Sequence, residues 1–556
     1  MITRRNLINA LPYPIARAAR IAINGTRNLH KLVSPNERHR ARKIRKSRNT
    51  AEVFFKELAQ SSPHRFKGTV LIDGSWINPN FWWRLTLARR ALGTAHTHEV
   101  GYLGKFQRQI SSETFQAIGV DQVVRHDDYF PDHHRQAIQQ ATALISNAQS
   151  SDDVLNWELP YGYPAACAYD GILKHQKSAE VDLKDPDLVK YTTQLLLSLE
   201  ASSQLLDEVK PQILLLSSAI NFESGTLAWI ASQRNIEVVV IYGCFGVPRF
   251  WKVTPDNGIF KPLDTITADE MDALVPETQD RLARVGRSYM QSRLSGQTQD
   301  HGAIYAFGVS NVRVSREGLC QEYGWDPQKP IVSVYASNWF DFPKSFGATQ
   351  FRDFLDFIKA TLDKASDTTS VNWLFRPHPC DEWYGGVTLK DLVKADGLDH
   401  VKLTPKRWKG DDVMRLSDAV VTMHGTAAIE YASLGKPVLI ADQGWYHKAG
   451  FAKWVETREA YLNNLSMPWW EGLDLDERKK RSEIFAGWFF CHPDWQQDLL
   501  VDDDFRNQEL WSQFPNLVDG KMDILERECQ SIRDWINSDQ PHYHSFKMKS
   551  TTAYAK

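Results

Sequence analysis

Paired cysteines are missing from this sequence. Its six, Cys167, Cys244, Cys320, Cys380, Cys491 and Cys529, stand singly along the chain, which argues against a disulfide framework or zinc knuckle and fits a reducing compartment. Long apolar runs are missing too. A bilayer span needs roughly 18–20 apolar residues, and the best stretch, Leu7 to Ile23, is broken by Pro12, Pro14, Arg17 and Arg20. Neither a signal peptide nor a membrane span is expected, and the chain reads as cytoplasmic. There is no overall excess of positive charge: 66 Lys and Arg meet 68 Asp and Glu, which excludes a broadly basic nucleic-acid binder. Aromatic surface, in contrast, is abundant. The 556 residues hold 19 Trp, 18 Tyr and 26 Phe, more than a disordered chain would keep solvated. Because single cores stop growing near roughly 250–300 residues, the length points to two or three domains.

The charge is unevenly spread. Residues 1–50 carry 13 Lys and Arg against the single acid Glu37, and beyond them 53 basic residues face 67 acidic ones. Ile15, Ala18, Ala19 and Ala22 recur at helical spacing beside Arg17 and Arg20. Arg38, Arg40, Arg42, Lys43, Arg45, Lys46 and Arg48 form a dense cationic run. Such a segment suits the anionic inner face of the cytoplasmic membrane, each cation near the surface contributing about 1 kcal/mol. A solvated tail that offsets the acidic body is the plainer alternative. Nucleic acid is a poorer partner, since no aromatic residues interleave with the run.

Beyond residue 68 the pattern is α/β. Strands without polar alternation, Thr69–Ile72, Gln212–Leu216 and Val238–Tyr242, are separated by helical stretches at Phe81–Leu92, Leu188–Val209 and Glu223–Arg234. Residues 266–310 are acidic and helical. The strand pattern then restarts at Ile331–Tyr335, Val371–Phe375, Ala419–Met423 and Val438–Ala441, with a helix over Phe351–Leu362. Apolar strands linked by single helices predict parallel sheets covered on both faces. The expected division is a basic arm over 1–55, a first α/β domain over 56–265, a helical connector over 266–320, a second α/β domain over 321–465, and a helical, Trp-rich extension over 466–556.

Ligands of open parallel sheets sit beyond the carboxyl ends of the strands, so the residues there carry the functional reading. In the second half, Asp418 to Ile440 spells strand, tight turn, helix, glycine stop and strand. Gly425 lets a phosphate approach the backbone, Thr426 can cap the helix, and Glu430 lies one turn further in, where a carboxylate can accept from ribose hydroxyls. An ordinary strand–helix–strand crossover explains the same residues without a ligand. Phe375-Arg376-Pro377-His378-Pro379-Cys380 follows another strand, and its two prolines hold the chain extended so that Arg376 and His378 are presented at the strand end. A third cluster, Ser333 to Asn338 with Trp339, offers Ser337 and Asn338 to a sugar or phosphate. In the first half Asp73 and Glu223 each stand just beyond a strand and suit acid–base work, although a helix cap or first-turn acid is common there. Gly243 and Arg249 can help close that side. Val501-Asp502-Asp503-Asp504 looks like a metal-binding triplet but follows no strand, so it is taken as loop, and neither metal nor cofactor is expected.

Arg376-Pro377-His378-Pro379, Ser417-Asp418 to Glu430, Gly435-Lys436-Pro437 and Tyr446 resemble the glycosyltransferases of bacterial capsule and surface-polysaccharide synthesis, Kdo transferases among them. The sialyltransferases with a His-Pro motif are a more distant likeness. The resemblance covers residues 330–465 and implies the GT-B architecture: two Rossmann-like domains facing a cleft. It also implies a nucleotide-sugar donor, CMP-linked sugars included, and a glycan or lipid-linked glycan acceptor. In its terms Arg376, His378, Pro379, His424, Gly425, Thr426 and Glu430 bind the donor nucleotide. His378 stabilises the leaving phosphate, and Glu223 or Asp73 supplies the catalytic carboxylate. Replacing His378 or Glu430 by Ala is expected to abolish transfer with the fold intact. A polyol-phosphate transferase, a sugar-nucleotide epimerase or a non-catalytic scaffold are the alternatives.

Overall fold

The computed structural model describes residues 35–543, apart from 75–78, 105–111, 131–133, 221, 243–248, 256–265, 298–302, 304–305, 308–313, 380, 382–386, 406–407, 492–498 and 500–507. Leu7 to Ile23, Gly243, Cys244, Cys380 and Asp502 to Asp504, named above, lie outside the described residues, and for Arg249 only the backbone is described.

Two six-stranded sheets form the frame. The first holds β1 (Thr69–Asp73), β2 (His98–Leu103), β3 (Gln122–Arg125), β4 (Ile213–Leu216), β5 (Glu237–Tyr242) and β6 (Arg249–Val253) in the order β3-β2-β1-β4-β5-β6. The second holds β7 (Ile331–Tyr335), β8 (Asn372–Arg376), β9 (Val401–Leu403), β10 (Ala419–Thr422), β11 (Val438–Ile440) and β12 (Lys453–Trp454) in the order β12-β11-β10-β7-β8-β9. All neighbours run parallel except β5 and β6. Counted from its own first strand, each sheet has the doubly wound order 3-2-1-4-5-6, so the chain reverses direction between β1 and β4 and again between β7 and β10. Such switch points open a crevice at the carboxyl ends of the strands. The expected pair of Rossmann-like domains is present. β4, β10 and β11 are buried along their whole length, as sheets covered on both faces require.

The helices used below are α1 (Pro35–Gln60), α2 (Pro79–Leu92), α3 (Ala165–Gln176), α4 (Leu188–Val209), α5 (Phe222–Gln233), α6 (Pro276–Leu294), α7 (Phe354–Asp367), α8 (Gly410–Leu416), α9 (Ala427–Ser433), α10 (Leu475–Ala486) and α11 (Met522–Ile536). The dense cationic run opens α1, where Arg38, Arg40, Arg42, Lys43, Arg45 and Lys46 are exposed. From Ala51 onward the same helix enters the core through Phe55, Leu58 and Ala59. The boundary expected at 55/56 therefore falls inside a helix. Every residue of α2 is buried, and Arg89 within it holds Glu99 through Nε and Nη2 at 2.9 and 2.6 Å. A buried guanidinium survives on such paired bonds. α7 starts three residues later than its apolar pattern suggests, because Asp353 accepts from Asp356 N at 2.8 Å and caps it.

The connector and the C-terminal extension hold the frame together. Gly286 of α6 packs against α10 so closely that a Cβ would stand 1.9 Å from Glu483 O. One on Gly487 would stand 2.1 Å from Leu282 O. Glycine permits this backbone-to-backbone approach, and five residues of π-helix follow, Gly487–Cys491. α11 returns to the first half: Arg533 Nε donates to Ala91 O at 2.8 Å, and Lys252 N donates to Pro541 O at 2.8 Å. Cys167, Cys320, Cys491 and Cys529 are free and buried. No helix among the described residues is long and apolar enough to cross a membrane.

Candidate functional site

Three adjacent strands of the second sheet, β10, β7 and β8, each send a chemically active side chain past their carboxyl ends. β8 ends in Arg376 and continues to His378, β10 continues to His424, and the loop after β7 carries Asp341. Burial lowers the His378 imidazole to about 4, with Asp341 pulling the other way and Arg376 adding to the fall. Burial lowers His424 to about 4 as well, again against Asp341. One carboxylate therefore acts on both rings. His424 is buried, its ring meets Phe354 edge-on at 5.3 Å, and its Nδ1 has no hydrogen-bond partner. Asn338 Oδ1 is a second buried polar atom without a partner. Buried polar atoms ordinarily bond a protein group, a water or a ligand, so these two can bond a polar group that enters the crevice. Arg376 lies over the Tyr335 ring at 5.7 Å, and Pro379 is exposed in the turn where Asp381 N donates to His378 O at 3.0 Å.

The turn after β10 is fixed from outside. Trp445 Nε1 donates to His424 O at 3.2 Å, and Tyr446 Oη donates to Gly425 O at 2.6 Å. The backbone N–H groups of Gly425, Thr426 and Ala427 take no partner among the described residues. Two expectations change here. Thr426 does not cap α9: its backbone is helical and its side chain makes no capping bond. Instead Thr426 Oγ1 accepts from Arg293 Nη2 at 3.3 Å. Glu430 is not an open carboxylate either. Arg293 of α6 donates to Glu430 Oε1 at 2.9 Å, with both side chains almost wholly out of solvent. Gly435-Lys436-Pro437 has a structural explanation: Gly435 takes φ +72°, and the Lys436 amine donates to Met414 O and Ser417 O, closing the end of α8.

In the first sheet the switch point gathers carboxylates. Asp73, at the end of β1, is fully buried and accepts from Ser217 N at 3.1 Å and from the Ser217 hydroxyl, tying β1 to the end of β4. Glu223, in the first turn of α5, is 6% exposed. Its carboxyl occupies the space over Gly104, where a Cβ would stand 2.1 Å from Glu223 Oε2. Burial first, then Glu223, Asp73 and Asp127, push the Tyr102 phenol well above its usual range. These acids therefore lie around one ring. Tyr102 Oη is 2.9 Å from His126 Nδ1.

α3 brings the two crevices together. It is seated on α5, since a Cβ on Gly171 would stand 2.0 Å from Phe222 Cε1 and the His175 ring lies 4.9 Å from Phe222. Its other side grips the segment after β7. Tyr169 donates to Asp353, Asp170 accepts from Lys344 N at 3.1 Å and from Ser345 N at 2.6 Å, and Lys174 Nζ donates to Asp341 Oδ1 at 2.7 Å. Across this seam Arg352 also reaches Glu180 at 2.7 Å and Asp152 at 3.3 Å. The carboxyl ends of both sheets thus face one another; these contacts across the seam are polar, and buried apolar side chains of both halves, Tyr169 and Phe222 with Phe340 and Phe354, pack in one cluster around them.

The structure places His378, His424, Arg376 and Gly425 around one crevice and Asp73 and Glu223 around the facing one. Sequence reading missed Lys174, Asp341, Gly104 and Arg293. Asp341 was within reach, since Trp339-Phe340-Asp341-Phe342 follows the predicted β7 strand. The other three depend on contacts across long sequence separations. Cavities of about 560 Å³ beneath the amino ends of β7, β8 and β10 and about 590 Å³ between α6 and α10 lie away from these residues.

No family model and no curated protein matches the chain. Solved structures do match. A UDP-GlcNAc 2-epimerase from Neisseria meningitidis is 11% identical, covering 75% of this chain and 95% of its own, with a TM-score of 0.23. The KpsC β-Kdo 2,7 transferase from Thermosulfurimonas dismutans is 14% identical, covering 52% and 79%, with a TM-score of 0.29. The wall teichoic acid polymerase TagF is 8% identical, covering 90% and 98%, with a TM-score of 0.22. At such scores nothing about activity carries over to this chain.

Proposed function

We propose that this chain is a glycosyltransferase that moves a sugar from a nucleotide-activated donor onto a glycan or lipid-linked glycan acceptor. The observation that carries this reading is the pair His378 and His424 at the carboxyl ends of the strands flanking β7, with the unpartnered Nδ1 of His424 beside unpartnered backbone N–H groups. A phosphate ester answers both deficits: it accepts the N–H bonds, and its charge favours protonated imidazoles over neutral ones. Across the seam, Glu223 is the better of the two candidate bases, since Asp73 is closed off by Ser217.

In the reaction, the bond between the sugar's anomeric carbon and the donor phosphate oxygen breaks, and the phosphate keeps the electron pair. His378 gives that oxygen a proton or hydrogen bond, while Arg376 and His424 stabilise its charge. The acceptor oxygen forms the new bond to the anomeric carbon and loses its proton to Glu223. These cationic side chains supply the positive charge themselves, so the proposal is a metal-independent transfer. The exposed cations of α1 suit docking on an anionic membrane surface, where a lipid-linked acceptor lies.

A thermal-shift panel of UDP, CMP and GDP tests the reading, because a ligand at a hundred times its Kd stabilises the folded state by about 2.7 kcal/mol. At least one nucleotide should stabilise the wild type and lose its effect in His378→Ala. No shift with any of them sinks the proposal. Conversion of a nucleotide sugar with no acceptor present would replace it by epimerisation.

A further inference from the structure

Lys174 belongs to the first half, yet its amine is spent on the second. It donates to Asp341 at 2.7 Å, with side chains 39% and 45% exposed. Its Nζ sits 5.0 Å from the Phe340 ring centre and 4.9 Å from that of Phe342, so two aromatic faces hold the charge in place. Phe342 takes φ +55°, a left-handed conformation that bulky residues rarely adopt. The backbone turning Asp341 toward α3 therefore carries strain that the surrounding contacts must hold. Asp341 N donates to Asn338 O at 3.0 Å, and Trp339 Nε1 of the same turn donates to Asp381 Oδ1 at 3.2 Å, whose backbone N–H bonds His378 O, so the Asp341 turn is fastened beside the histidines and its charge acts on both rings.

That placement poses an electrostatic problem. An anionic ligand beside the two imidazoles meets the carboxylate of Asp341, and like charges at such range repel. The repulsion is removed only when Asp341 has its cation, and that cation arrives on the opposite lobe. We propose that Lys174 is a cross-lobe positioning residue: by neutralising Asp341 it makes the pocket receptive to the donor's phosphate, and so couples donor binding to closure of the lobes. The inference rests on the donor-site reading above and adds to it how binding is controlled. Coupling of this kind is reciprocal. Bound phosphate favours the arrangement in which Lys174 reaches Asp341, and separated lobes leave the carboxylate bare and the pocket hostile to anions.

The design predicts rescue. A lysine that bonded the phosphate directly would be missed whatever stood at position 341. A lysine that acts by masking Asp341 becomes dispensable once that charge is gone. Calorimetric titration of the full chain with UDP and CMP, on wild type, K174A, K174R, D341N and the double variant K174A/D341N, decides between these. We expect K174A to weaken binding about tenfold, K174R to bind as wild type does, and K174A/D341N to recover wild-type affinity. Each variant's melting curve shows whether it is folded, and the partly exposed positions make folding the expected result. Small-angle scattering with UDP should compact the wild type more than K174A. Unchanged affinity in K174A, or a loss that D341N fails to restore, overturns the inference while leaving the donor-site reading standing. Absence of nucleotide binding in the wild type overturns both.

Discussion

Arg293 and Glu430 meet at 2.9 Å with side chains 1% and 4% exposed, joining the connector helix α6 to the short helix α9 behind the turn at Gly425. The guanidinium also reaches Thr426 Oγ1 at 3.3 Å and lies 5.6 Å from the centre of the Phe490 ring. Removing one partner of a buried pair strands the other charge and costs about 3–5 kcal/mol. Arg293→Ala and Glu430→Ala should each lose stability in that range in urea unfolding, and the double replacement should cost less than the two losses together. This changes the expectation that Glu430→Ala would leave the fold intact. Inactivity in that variant would report a disturbed α9 as much as a lost ribose contact, so His378→Ala is the cleaner probe of the site.

Gly104 offers a way to test Glu223 without touching it. A methyl group there would stand 2.1 Å from Glu223 Oε2, and the carboxylate is the atom group that must move. Gly104→Ala should lower turnover about a hundredfold, the scale of a misplaced general base, while nucleotide affinity in the other half stays as in the wild type. Equal turnover in Gly104→Ala and wild type would remove Glu223 from the mechanism.

The sheets were legible because their chemistry is local. Ile213-Leu214-Leu215-Leu216 and Ala419-Val420-Val421-Thr422 are apolar runs bounded by turn residues, and both are buried strands. β3 (Gln122-Val123-Val124-Arg125) escaped notice, since it is short, at a sheet edge and polar at both ends. β12 is two residues long and announces itself even less. The positions of the two imidazoles were legible, since His378 and His424 follow apolar strands directly and the structure places them just past the ends of β8 and β10. Glu430 was misread for a physical reason: its partner Arg293 lies 137 positions away, and no local pattern reveals that a helical carboxylate is already engaged. The cap at Thr426 failed in the same way, because its hydroxyl serves Arg293. Lys174 carries no sequence signal, as an amphipathic helix has many half-exposed lysines.

Titration of buried groups should shape the stability curve. Burial lowers His175, His378 and His424 to about 4, so the unfolded chain takes up protons first as pH falls from about 6.5, and stability is lost down to about 4. Asp170 runs the other way. Burial raises it to about 7 against the pull of Ser345 and Lys344, so its contribution is complete below about pH 4 and is lost as pH rises through about 7. For these four groups alone, three protons against one leave a net of two, a contribution of at most about 2.7 kcal/mol gained per pH unit between roughly pH 4.5 and 6. Urea unfolding across this window measures the slope, and Asp170→Asn should steepen it. A flat profile would mean that these imidazoles are not held neutral.

The same imidazoles make nucleotide binding a proton-coupled event. His378 and His424 resist protonation because burial removes water and Asp341 compensates only in part. A phosphate set between them supplies the missing negative charge and raises both rings, so binding near neutral pH draws protons from solution. By linkage, affinity must then rise as pH falls, by up to tenfold per pH unit for each proton taken up. Titrating UDP or CMP at pH 7.5, 6.5 and 5.5, in buffers of different ionisation enthalpy, yields the proton count directly. The wild type should take up between one and two protons, and His424→Asn, which keeps a donor but cannot titrate, should take up one fewer. Binding that is independent of pH, with no proton uptake, would show that the anion rests elsewhere and that the two histidines at the ends of β8 and β10 do not hold it.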